Sequence, residues 1–88
     1  MTYDQLYTAW NGEFRDMTVL DPRYATGDAV YHILEDARQN AQYTIDVERA
    51  AETAEFDNLV VSGIEETLAC HPTPPEVIQW FAAHGITG

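Results

Sequence analysis

Apolar residues in this chain recur at steps of three and four from one end to the other, and nowhere do they alternate over a sustained stretch. A 3.6-residue period collects such residues on one face of a helix, whereas a half-buried strand needs a period of two. This pattern predicts an all-α fold, a small bundle of four to five helices. The 88 residues suffice for a single acidic helical domain over 1–88, with a thin core.

The first helix is expected over 3–16. Thr2 stands at the N-cap and Gln5 three residues on, the spacing of a capping box. Tyr3, Leu6, Tyr7, Trp10, Phe14 and Met17 form an aromatic stripe, read as core, with Tyr3, Tyr7 and Trp10 as the interface anchors if the stripe is exposed. Gly12 weakens this helix by about 1 kcal/mol against alanine. Asp21-Pro22 then starts a turn, Gly27 supplies unusual backbone angles, and Val19 and Leu20 are expected to pin the loop to the core.

A second helix is expected over 28–40, capped by Asp28 and buried through Ala29, Val30, Ile33, Leu34 and Ala37. Glu35 and Arg38 can pair across one turn. A third is expected over 44–56, its face of Val47, Ala50, Ala51 and Ala54 small enough for close helix approach. No sharp break separates it from the second, so the two can merge. A fourth, over 58–70, takes Asp57 as N-cap and Val60, Val61, Ile64 and Leu68 as its apolar face, and Pro72 limits its end. The last, over 74–84, reads Thr73 as N-cap, Pro74 as first residue and Glu76 as the capping-box acid. Val77, Ile78, Phe81 and Ala82 face inward, and Gly85 then Ile86 form its C-terminal stop. Trp10, Phe14, Leu34, Val60, Ile64, Leu68 and Phe81 are the expected core.

Charge sets this chain apart. Fifteen acids face four basic residues, all arginine, for a formal charge of −11. A nucleic-acid binder needs cations to displace counterions, so direct nucleic-acid binding is not expected. Anionic membranes would repel the chain as well. A basic protein partner would be drawn to it. The plain alternative is that the acids only keep a small protein in solution. Cys70 is the only cysteine, no secretory leader is legible, and no apolar run is long enough for a membrane span, which together point to the cytoplasm.

Catalytic and cofactor signatures are missing. There is no phosphate-binding glycine loop, and Ser62, the only serine, lies in an apolar helical stretch. His32 reads as a surface histidine. Cys70, His71 and His84 are the one conceivable metal set, a small metal-dependent enzyme being the remote alternative, but their spacing fits no zinc pattern. The acid pairs Glu35-Asp36 and Glu65-Glu66 read as solvated, without the burial that tunes a catalytic acid. The expectation is a protein with no enzymatic activity, no cofactor and no metal.

The acids are densest from Asp46 to Asp57. Glu48, Glu52 and Glu55 fall on one helical face, where like charges a turn apart cost about 0.2–0.5 kcal/mol. Along a helix axis they are ~6 Å and ~4.5 Å apart, comparable to phosphate separations on a nucleic-acid strand. Such a ridge can occupy a Lys/Arg-lined groove built for a nucleic-acid backbone. Glu48, Glu52 and Glu55, joined by Asp46, Glu35 and Asp36, are therefore the expected partner-binding residues. In size, acidity and lack of catalytic motifs the chain resembles phage- and mobile-element-encoded inhibitors of host defence, the anti-CRISPR and anti-restriction proteins. The stretch Glu76–Gly85 is similar to the last helix of the colicin immunity proteins, whose Tyr-Tyr-Pro centre has no counterpart here. The expected function is an acidic inhibitor that blocks a basic, nucleic-acid-handling partner by mimicry. The alternative is a helical adaptor, assembly or immunity/antitoxin-type protein, with a homodimer conceivable.

Overall fold

The computed structural model of the chain describes residues 2–48 and 53–86, with side chains up to Thr44 and again from Glu55. Four helices are formed: α1 Tyr3–Phe14, α2 Tyr24–Glu48, α3 Thr53–Cys70 and α4 Pro75–Ala83. No strand occurs among the described residues. The fold is all-α, as the periodicity predicts.

Helix α1 starts on the capping box. The Thr2 hydroxyl accepts the Gln5 N–H, and the Gln5 side chain accepts the Thr2 N–H. The helix continues through Gly12 and ends at Phe14. Two of its residues, Leu6 and Phe14, are fully in the core, and Trp10 packs against it half-buried. A turn follows, in which the Asp21 carboxylate accepts the Arg23 N–H and the Asp21 carbonyl accepts that of Tyr24. This turn runs directly into α2. The expected start at Asp28 is therefore four residues late, and Asp28 lies inside the helix.

Gly27 also differs from expectation. It takes no left-handed angle but sits within α2, against Phe14. A Cβ there would meet the Phe14 ring at 2.7 Å. Glycine at this point lets α1 cross close to α2. Val19 and Leu20 do not pin the connection to the core; they are 76 and 94% exposed.

The expected separate helix over 44–56 is not formed. Its first part is the end of α2 and its last part opens α3. No Gly or Pro interrupts the chain between Val30 and Glu48, so α2 runs on through residues of only ordinary helix propensity to Glu48. Residues 49–52 lie outside the described chain, as do the side chains of Val47, Ala50, Ala51 and Ala54 that the close-approach face required. Asp57 is not an N-cap: it lies inside α3, and its carboxylate accepts the backbone N–H of Tyr3, tying α1 to α3.

The core is one cluster spanning all four helices. α2 contributes Val30, Leu34, Ala37 and Ala41, α3 contributes Val60, Ile64 and Leu68, and α4 contributes Val77, Trp80 and Phe81. α2 and α3 share the largest interface, in which a Cβ placed on Gly63 of α3 would stand 3.6 Å from that of Ala37. No buried side-chain polar atom among the described residues lacks a hydrogen-bond partner.

Helix α4 starts differently from the expected capping box. Pro74 is the N-cap, Pro75 is the first helical residue, and the Thr73 hydroxyl donates to the His71 carbonyl instead. Proline fixes the entry angle without needing an N–H partner. Its C-terminus closes as expected. Gly85 has φ +85°, its N–H donates to the Ala82 carbonyl, and the Ile86 N–H donates to Phe81 while the Ile86 side chain is buried. This is the paired hydrogen-bond stop that a left-handed glycine allows. Ile78 and Ala82, expected inside, are exposed, because only the stripe of Val77, Trp80 and Phe81 faces the bundle.

Candidate functional site

Two of the four arginines are paired within the fold, Arg38 half-buried and Arg23 at the surface. Arg23 pairs with Glu13, and Arg38 donates to Glu35 at 2.9 Å. Each pair belongs to a clasp between helices. Glu13 also accepts the Trp80 indole N–H at 2.7 Å, which ties α1 to α4. Glu35 also accepts the Tyr3 hydroxyl at 2.6 Å, which ties α2 to α1.

The titration of these groups follows from the clasps. Burial pushes the Glu13 carboxyl up, but hydrogen bonds from Trp80 and Arg23, with the charge of Arg23, outweigh it and hold it below the usual range. Burial pushes Glu35 up likewise, and the Tyr3 hydroxyl and Arg38 outweigh it in the same direction. Burial and the bond to Glu35 raise the Tyr3 phenol, so it stays a donor. The pairing with Glu35 raises Arg38.

Glu35, expected among the partner-facing and solvated carboxylates, is thus half-buried and spent within the fold. Asp36, its neighbour, is exposed and lies beside Gln39, Asn40, Thr67 and His71 on the α2/α3 seam. Glu55 is exposed on the first turn of α3. The side chains of Asp46 and Glu48, and all of Glu52, lie outside the described residues. Glu48 ends α2 and Glu55 stands on the first turn of α3, so the single helical face expected to carry Glu48, Glu52 and Glu55 is not formed, and Glu55 alone of the three has a described side chain. Asp4, Asp16, Glu65, Glu66 and Glu76 are also exposed, and none of these carboxylates has an ion-pair partner among the described residues. Among the described residues, no three His, Cys, Asp or Glu side chains gather as a metal would require. Cys70 is exposed, and His84 stacks on Trp80, its Nδ1 2.7 Å from the Trp80 carbonyl.

A second feature lies on the aromatic stripe of α1, whose Tyr3, Tyr7 and Trp10 are the interface anchors expected for an exposed stripe. Where α1 crosses the start of α2, a groove of about 260 Å³ opens. Trp10, Phe14 and Met17 line it from α1 and its end, and Tyr24, Gly27 and Tyr31 from α2. Arg15 and Asp28 are its charged residues. The Trp10 and Tyr31 rings lie 4.8 Å apart at their centroids, and the Trp10 indole donates to the Gly27 carbonyl at 2.7 Å. Asp28 Oδ2 is 3.5 Å from His32 Nε2. Tyr7 extends the aromatic run, 5.7 Å from Trp10, and Tyr3 continues it at 6.0 Å. The sequence carried half of this signal: residues 10, 14 and 17 share one helical face, and 24, 28 and 31 another. Nothing in the sequence brings those two faces together, since that depends on how Gly27 seats against Phe14.

Compared with known protein families, with characterised proteins and with solved structures, the chain matches none.

Proposed function

We propose that the protein is a non-enzymatic acidic inhibitor that binds and blocks a basic, nucleic-acid-handling protein in the cytoplasm. In this reading it acts in the manner of phage or mobile-element anti-defence proteins of the anti-CRISPR or anti-restriction kind. The supporting observation is the surface charge balance. The chain has eleven more acids than arginines, and two of its arginines are consumed by Glu13 and Glu35. The outward-facing carboxylates therefore have almost nothing to neutralise them. A cationic groove meets that surface with fast, salt-sensitive association. In this reading the outward carboxylates, those of Glu48, Glu52 and Glu55 among them, stand in for phosphates without the regular spacing of one helix, and the aromatic groove supplies specificity.

A second reading, a helical adaptor, draws on a different observation. Val19 and Leu20 stand in solvent on the α1–α2 connection, two and three residues after groove residue Met17. An adaptor using this surface would bind through apolar burial and respond weakly to salt.

Capture of partners from lysate at low and high ionic strength, with mass spectrometry, separates the two. The inhibitor reading expects nucleic-acid-binding proteins of high isoelectric point, released as salt rises. Changing Glu48, Glu52 and Glu55 together to Gln should slow association with the captured partner and flatten its salt dependence. Salt-resistant capture of a neutral or acidic partner would replace the inhibitor by the adaptor.

A further inference from the structure

We propose that the groove between α1 and α2 receives an arginine side chain from the partner. This rests on the basic partner of the preceding reading and adds to it the group that is recognised. The size of the groove is the first argument. At about 260 Å³ it lies at the small end of ligand sites, which run from roughly 300 to 1,000 Å³. It suits one inserted side chain.

The lining is the second argument. Trp10, Tyr24 and Tyr31 offer π-systems, and Asp28 offers a carboxylate. Aromatic faces attract cations, and a planar guanidinium can stack on a ring while donating two hydrogen bonds to one carboxylate. The molecule already holds one of its own arginines by this combination. The Arg23 guanidinium lies 5.1 Å from the centre of the Phe14 ring and pairs with Glu13. Phe14 also lines the groove, so the same ring borders the resident arginine and the space for a second.

Charge is the third argument. A formal charge of −11 draws a cationic segment to the groove and opposes a second copy of the chain. Three groups work against the incoming arginine. Arg15 stands on the lining as a like charge, Arg23 lies over the Phe14 ring with Glu13 as its own partner, and His32 lies beside Asp28. Arg15 is exposed and has no ion pair among the described residues, so it can turn outward. It also supplies the decisive test, because a carboxylate-bearing occupant would need it and an arginine would not.

The experiment is a tryptophan-fluorescence titration of the whole protein with a short capped arginine-containing peptide. Parallel titrations use the same peptide with citrulline for arginine, a leucine-rich amphipathic peptide, and a glutamate-containing one. Trp10→Phe, checked for folding by circular dichroism, assigns the signal to the groove rather than to the buried Trp80. The expected result is saturable binding of the arginine peptide. The citrulline peptide and the Asp28→Asn variant should each bind about tenfold more weakly, the loss expected for one hydrogen bond between charged groups. Arg15→Gln should tighten the arginine peptide. The proposal is overturned by no Trp10 response, by equal affinity for citrulline, by preference for the leucine or glutamate peptide, or by weaker arginine binding in Arg15→Gln. Capture of a basic partner without a groove response sinks this proposal and leaves the inhibitor reading in place. A groove response with no basic partner captured does the reverse.

Discussion

The two tryptophans of this protein occupy opposite situations. Trp80 is 7% exposed, meets Phe14, Phe81 and His84, and donates its indole N–H to Glu13. Trp10 is half-buried, stacks with Tyr7 and Tyr31, and donates to the Gly27 carbonyl. Both are held by a hydrogen bond, so neither is loose. The difference lies in what surrounds the ring. Around Trp80 the helices close, and the aromatic area is spent on folding. Around Trp10 a groove remains, and part of the aromatic area is left for a partner. Tryptophan is enriched among binding hot spots, which become fully desolvated only in the complex.

The sharpest way to break this comparison is truncation. Trp80→Ala should cost about 3–5 kcal/mol in urea denaturation, since it removes a large core side chain and leaves Glu13 without one donor. Trp10→Ala should cost clearly less. Equal losses would make Trp10 a folding residue and remove the reason to regard its groove as a binding surface. Leu34→Ala and Ile64→Ala, at fully buried positions, should each cost about 2–5 kcal/mol and leave any partner affinity of the folded fraction unchanged.

Gly27→Ala probes the floor of the groove. The new methyl would press on the Phe14 ring, at a cost of about 1–3 kcal/mol that improved helix propensity only partly offsets. A stabilised variant would show that α1 can move away from α2 freely.

Glu35→Gln tests the clasp at the other end of the aromatic run. It should cost about 1 kcal/mol near neutral pH, a usual value for a lost hydrogen bond. The sign of its pH dependence follows from the depressed carboxyl. Glu35 is ionised in the folded protein at pH values where an unfolded glutamate is already taking up protons, so its contribution is full above the ordinary glutamate pKa of about 4.3. It is lost as pH falls through the lower, folded value. The stability gap between wild type and Glu35→Gln, measured by denaturation from pH 7 downward, should therefore narrow only below about pH 4–5. A gap that narrows above that range would contradict the clasp. The smallest effect is on the expected acidic ridge: the triple change of Glu48, Glu52 and Glu55 to Gln should leave stability within about 0.5 kcal/mol of wild type, or raise it slightly.

Much of the fold could be read along the chain. The Thr2/Gln5 box, the Gly85–Ile86 stop and the stripes through Leu34, Ile64 and Phe81 each depend on neighbours within one or two turns, and local spacing reports such neighbours faithfully. Errors arose where a residue had two local uses. Thr73 could cap or turn back to His71, and the second proline decided for the turn. Asp28 could cap a helix that Asp21-Pro22 had already begun. Glu35 looked like one more solvated acid because its two partners differ in kind: Arg38 is three residues away and legible, whereas Tyr3 comes from another helix.

The sequence by itself determined the helical class, most of the buried stripes, the stops of α3 at Cys70 and of α4 at Gly85–Ile86, and the uncompensated negative charge. These follow from periodicity, from backbone stereochemistry and from counting ions. Only the tertiary structure decided which acids remain available and where the aromatic residues open to solvent. Glu13 and Glu35 are withdrawn by partners far along the chain, and the groove exists because Gly27 lets Phe14 approach while Tyr24 and Tyr31 stand to either side along α2. Both outcomes depend on how helices cross, and crossing is set by side-chain shape at the contact, which no periodicity records.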